Sequence, residues 1–130
     1  MGNSNSSLNI KRYNFEDMQL ARQSNGNILI INTLSDNLQE CIIPGTMSIK
    51  DEVTILNNQL NKDKTFPIIV YGKNNNDERI LTKYKQLISL GFTNVNIYAG
   101  GIFEWLLLQE IYGDENFPTT IHEIDILKYR

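Results

Sequence analysis

Three short runs rich in β-branched residues constrain this chain more than anything else in it: NILIIN at 27–32, PIIVY at 67–71 and NVNIY at 94–98. The first two carry their apolar residues consecutively, which is how a strand covered on both faces of a parallel sheet reads. Helical patterns lie between them. Residues 51–60 place Val53, Leu56 and Leu60 at helical spacing, and residues 77–90 place Ile80, Leu81, Tyr84, Leu87 and Ile88 on one stripe, with Gly91 as the C-cap. Strands alternating with helices at this spacing predict an α/β sandwich with a mainly parallel sheet and right-handed crossovers. In such a sheet ligands bind beyond the carboxyl ends of the strands, so the loop at 72–77 is the default site.

The remaining segments fit around that frame. Asn14 is a candidate N-cap, with Glu16 and Asp17 in the first turn of a helix that ends at Asn25-Gly26. A bridge at Tyr13 and a weaker strand at 46–49 bring the expected sheet to five strands. Gly100-Gly101 opens the run IFEWLLLQEIY, apolar on most sides and so expected to pack deep. The expected organisation is a polar leader at 1–12, a domain at 13–112, and a tail at 113–130 whose Ile121, Ile124, Ile126 and Leu127 suggest a short helix or clasp.

Composition excludes several function classes. Twelve basic and 15 acidic residues are interspersed for a net charge of -3, which leaves no basic stripe for nucleic acid. The single cysteine allows neither an internal disulfide nor a Cys-rich zinc site, and nothing in the pattern calls for a cofactor. No apolar run reaches the ~20 residues of a membrane span, so the default expectation is a cytoplasmic protein. The leader modifies that expectation. Met1-Gly2-Asn3-Ser4-Asn5-Ser6 fits the pattern for N-myristoylation at Gly2, which predicts reversible attachment to a membrane surface.

The stretch ILIINTLSDNLQECIIPGTMSI resembles the opening of rhodanese domains, where a buried strand leads through a short helix to an IPGA-type turn, here Ile43-Pro44-Gly45-Thr46. FPIIVYGKNNNDERILTKYKQLISLGFTNVNIYAGGIFEW resembles the remainder, with its strand, loop, helix, closing GG pair and Trp105. The likeness covers about residues 14–112. FEWLLLQEIYGDENFPTT is similar to rhodanese-like proteins of large DNA viruses that infect single-celled eukaryotes. The resemblance implies a sulfurtransferase fold whose nucleophilic cysteine directly follows the central strand, its thiolate and persulfide held by loop N–H groups and a helix N-terminus. That position is Gly72, which carries no nucleophile. The loop Gly72, Lys73, Asn74, Asn75, Asn76, Asp77, Glu78, Arg79 is also about two residues longer than in active members. It sets two carboxylates where an anion would sit, and Asn32-Thr33-Leu34 replaces the usual Asp-x-Arg turn.

These residues leave several readings open. Asp77 and Glu78 are adjacent, so they do not face one another as an acid/base pair and read better as helix caps. Lys73 and Arg79, beside Asn74, Asn75 and Asn76, could hold a phosphate. Cys41, with Glu40 beside it to raise its pKa, reads as a small apolar core residue or as a displaced sulfur acceptor; His122 is the one histidine that could pair with it. Together they predict a catalytically inactive binding module with a protein partner, tethered through Gly2. The alternative is a sulfurtransferase or sulfur carrier using Cys41.

Overall fold

A computed structural model describes residues 10–130. Four strands, β1 (Lys11–Tyr13), β2 (Leu29–Asn32), β3 (Ile68–Tyr71) and β4 (Val95–Tyr98), form one sheet in the order β1-β4-β3-β2. Every pairing is parallel, with Ile30 opposite Ile69, Ile69 opposite Asn96 and Arg12 opposite Ile97. The expected fifth strand at 46–49 reduces to an isolated bridge between Thr46 and Ile30. Its cause is local: Thr46 sits one residue past Gly45, whose φ of +97° belongs to the turn, and Thr46 Oγ1 bonds back to the Ile43 carbonyl.

Helices α1 (Phe15–Arg22) and α4 (Gly101–Tyr112) cover one face of the sheet, and α2 (Glu52–Lys62) and α3 (Glu78–Leu90) cover the other. Strand side chains divide accordingly, because successive residues of a strand point to opposite faces. Ile69, Tyr71 and Tyr98 join Met18, Ile102 and Trp105 on one side, while Ile68, Val70 and Ile97 join Leu56, Ile80 and Leu87 on the other. All four residues of β3 are buried, with β3 lying between β4 and β2 in the sheet.

Most helix signals act where the sequence puts them, but α1 stops at Arg22 with Gln23 as its C-cap, and Asn25-Gly26, both at positive φ, form the turn beyond it. Asn14 and Asp17 form a reciprocal capping box for α1, Asp77 caps α3, and Gly91 ends it at φ +116°. Two apolar stripes are narrower than expected. Leu81 and Ile88 of α3 and Val53 of α2 face outward, and α4 leaves Leu107, Ile111 and Tyr112 exposed while burying Trp105 and Leu106. A helix on one face of a sheet turns only part of its circumference to the core.

The tail runs through turns and bends to a 3-10 turn at Ile126–Tyr129 and packs Phe117 and Tyr129 into the core on the α1/α4 face. It acts as a clasp and not as an α-helix. The myristoylation pattern at Gly2 lies outside the described residues. Among the described residues no helix is long and apolar enough to cross a membrane.

Candidate functional site

Gly72 follows β3 directly and is buried. Its backbone φ is not positive, so any residue could adopt its conformation; space is what restricts the position. A Cβ built on Gly72 would lie 2.5 Å from Asp77 Oδ2, 2.6 Å from Thr33 Oγ1 and 2.9 Å from Ile80 Cγ1. Three side chains, from the segment after β2 and from the start of α3, therefore fill the space a residue here would use.

Asp77 is what closes the loop. Its Oδ2 accepts from the Lys73 backbone N–H at 3.1 Å and from the Thr33 hydroxyl at 3.3 Å, while its Oδ1 accepts from the Arg79 backbone N–H at 3.0 Å. Arg79 Nε adds an ion pair at 3.3 Å. Burial works to raise the Asp77 pKa, but the two backbone N–H groups and the guanidinium outweigh it and hold the carboxyl below its ordinary range. A loop whose N–H groups could receive an external anion thus already holds one of its own. The Asn76 N–H is likewise taken internally, by Asn74 Oδ1 at 2.8 Å.

The loop's carbonyls are occupied from the other side. Ile102 and Phe103, in the first turn of α4, donate to the carbonyls of Gly72 and Lys73, both at 2.9 Å. So close an approach needs glycine at 101, where φ is +69° and a Cβ would lie 2.6 Å from the Gly72 oxygen. Outside the loop, Lys73, Asn74, Asn76, Glu78, Arg79 and Arg130 border an open concavity of about 420 Å³. Asn75 borders a smaller one, of about 150 Å³, toward the ends of β1 and β4. Lys73, Asn74, Asn76, Asp77 and Arg79 are thus brought together, but Arg79 is committed in part to Asp77.

Cys41 is not at this loop. It lies on the segment before the Ile43-Pro44-Gly45-Thr46 turn, which Tyr71 holds through its hydroxyl to the Ile43 N–H at 3.1 Å and to Thr46 Oγ1 at 2.8 Å. Cys41 is 2% exposed, and its thiol donates to the Ile121 carbonyl at 3.6 Å. Burial pushes its pKa up, Glu123 adds to the rise, and a contact with Thr119 offsets part of it. The carboxylate that acts on the thiol is Glu123 rather than its neighbour Glu40. His122 is exposed, and the thiol's bond goes to the adjacent Ile121 carbonyl.

Tyr129 is the residue that sequence reasoning missed. Its side chain is 1% exposed and lies against Cys41, and its carbonyl accepts from Asn74 Nδ2 at 2.7 Å. It therefore joins the thiol to the loop. Nothing in the local pattern announces this, because an isolated aromatic in a polar tail has no periodicity to place it. Thr33 was visible only as part of the departure at Asn32-Thr33-Leu34. Among the described residues no cluster of three or more His, Cys, Asp or Glu side chains is arranged to hold a metal.

A family model described as a rhodanese-like domain matches residues 16–108. Among solved structures, the single-domain sulfurtransferase RDL2 of Saccharomyces cerevisiae superposes with a TM-score of 0.59 at 20% identity, covering 84% of this chain and 96% of that one. The BH2092 protein of Bacillus halodurans gives 0.60 at 16% identity, covering 96% and 93%. The Alr3790 protein of Anabaena sp. gives 0.58 at 21% identity, covering 89% and 86%. No curated protein matches the chain.

Proposed function

The chain belongs to the rhodanese-like domain family, with that family's parallel sheet between helices, and from this premise we propose that it is a catalytically silent member that works as a protein-binding module on a membrane surface. Gly72 supplies no nucleophile. The observation that carries the reading is the Asp77 carboxylate, 2.5 Å from where a Cβ of residue 72 would be and hydrogen-bonded to the loop's own N–H groups. A sulfur-donor anion approaching this loop meets a negative charge in the place where the fold offers positive potential. Function then falls to surfaces.

The membrane part of the reading rests on the Met1-Gly2-Asn3-Ser4-Asn5-Ser6 pattern. One acyl chain gives only marginal, reversible binding, so the partner supplies the second contact. The rival reading makes Cys41 a sulfur carrier. It requires thiolate at a side chain that is 2% exposed and whose pKa is raised by burial.

One spectrum separates these readings. The intact mass of protein expressed in eukaryotic cells is recorded before and after exposure to thiosulfate or 3-mercaptopyruvate. The expected result is a myristoyl adduct and no added sulfur. A persulfide on Cys41, the only thiol, overturns the silent-module reading, and an unacylated N-terminus overturns the tether.

A further inference from the structure

The family match ends at residue 108, yet the loop that follows β3 is fastened to a segment lying beyond it. That segment holds no α-helix or strand after Tyr112. It leaves α4 where Trp105 Nε1 donates to the Pro118 carbonyl at 2.8 Å, and it is pinned at Thr120, whose N–H donates to the Ile42 carbonyl at 2.9 Å. The Ile42 N–H returns a bond to Thr120 Oγ1 at 3.0 Å. It ends by seating Tyr129 in the core.

Between those anchors one half-buried apolar side chain, Ile126, packs against the core, and the remaining ties are polar: the Cys41 thiol on the Ile121 carbonyl and an ion pair of Lys128 with Glu123 inside the segment. Ile124 is 85% exposed and Leu127 59%, so the outer side of the segment has no cover of its own. Beneath it lies Cys41, whose thiol donates to the Ile121 carbonyl and lies against Thr119 and Tyr129, all from this one segment, with the charges of Glu123 and Lys128 acting on it from further off. Thin peripheral segments with few buried apolar contacts open locally at a fraction of the free energy of global unfolding.

We propose that residues 118–130 are a detachable strap, stapled to the 72–77 loop by Asn74 and seated by Tyr129, whose opening bares Cys41 and frees the loop in one movement. The strap adds a regulated state to the domain: whatever displaces it alters both places at once. Cys41 serves here as the reporter of opening. The proposal holds whether or not the loop carries chemistry.

The test is the rate at which a maleimide probe alkylates Cys41 in the intact chain at neutral pH, followed by intact mass at several denaturant concentrations below the unfolding transition. Opening of the strap exposes little surface, so the wild-type rate is expected to be insensitive to low denaturant, whereas a route through global unfolding would climb steeply. Asn74→Asp keeps the acceptor for the Asn76 N–H but removes the donor to Tyr129, so labelling should accelerate about twofold to tenfold, the range for one lost hydrogen bond. Tyr129→Ala should accelerate it ~100-fold or more, the loss of a seated aromatic. If Tyr129→Ala does not fold, Asn74→Asp still decides. A wild-type rate that rises in parallel with unfolding, or an Asn74→Asp rate equal to wild type, overturns the strap.

Discussion

At the scale of single residues, the domain's character turns on a glycine and a carboxylate. Gly72 is confined by neighbours and not by its backbone, so the cost of adding a side chain should depend on those neighbours being present. Gly72→Ala is expected to destabilise the protein by about 1–3 kcal/mol, the usual cost of overpacking a filled site. In an Asp77→Ala background the same change should cost less, because one of the three obstructing atoms is gone. Denaturant unfolding of the four proteins of this cycle checks it, and an equal cost in both backgrounds would show that Asp77 is not the obstruction. For the same reason, Gly72→Cys alone should not yield a sulfurtransferase.

At the scale of elements, Asp77 is the N-cap of α3 and ties that helix to the loop. Its carboxyl is held below the ordinary value of 3.8, so its contribution to stability is present in full well above that pH and is lost as pH falls through the lower folded value. Asp77→Ala should therefore cost about 0.5–2 kcal/mol at neutral pH, and the gap between wild type and variant should narrow as the solution is taken below pH ~4. A gap that stays constant on acidification would remove the charge from the explanation. Most elements were legible in the sequence because local signals and burial agree: consecutive apolar residues for β2 and β3, Asn14, Asp77 and Gly91 for the helix ends. What was not legible depends on one local turn and otherwise on contacts distant in sequence. Whether Thr46 extends a strand is decided by the Gly45 turn and Tyr71, and the width of the α3 stripe by how the helix lies on the sheet. At the candidate site, that residue 72 brings no side chain to the loop could be read directly from the sequence. That Asp77 would turn back onto the Lys73 N–H, or that Tyr129 would reach Asn74 and Cys41, could not, since no spacing rule links positions 55 residues apart.

For the whole molecule, the proposed membrane attachment rests on the Gly2 pattern acting together with the domain. Gly2→Ala should move the protein from the membrane to the soluble fraction of eukaryotic cells, and fractionation with unchanged partition would discard the tether. The sheet order has a further consequence, for the timing of assembly. β1 is early in the chain, but among the described residues its partner is β4, so Lys11 cannot meet Asn96, nor Tyr13 meet Tyr98, until both have emerged from the ribosome. The β2–β3 pair can form well before that. The edge of the sheet formed by β1 is thus the last to close, and Lys11 to Tyr13 stay unpaired through most of synthesis while the β2–β3 pair is already available as a template.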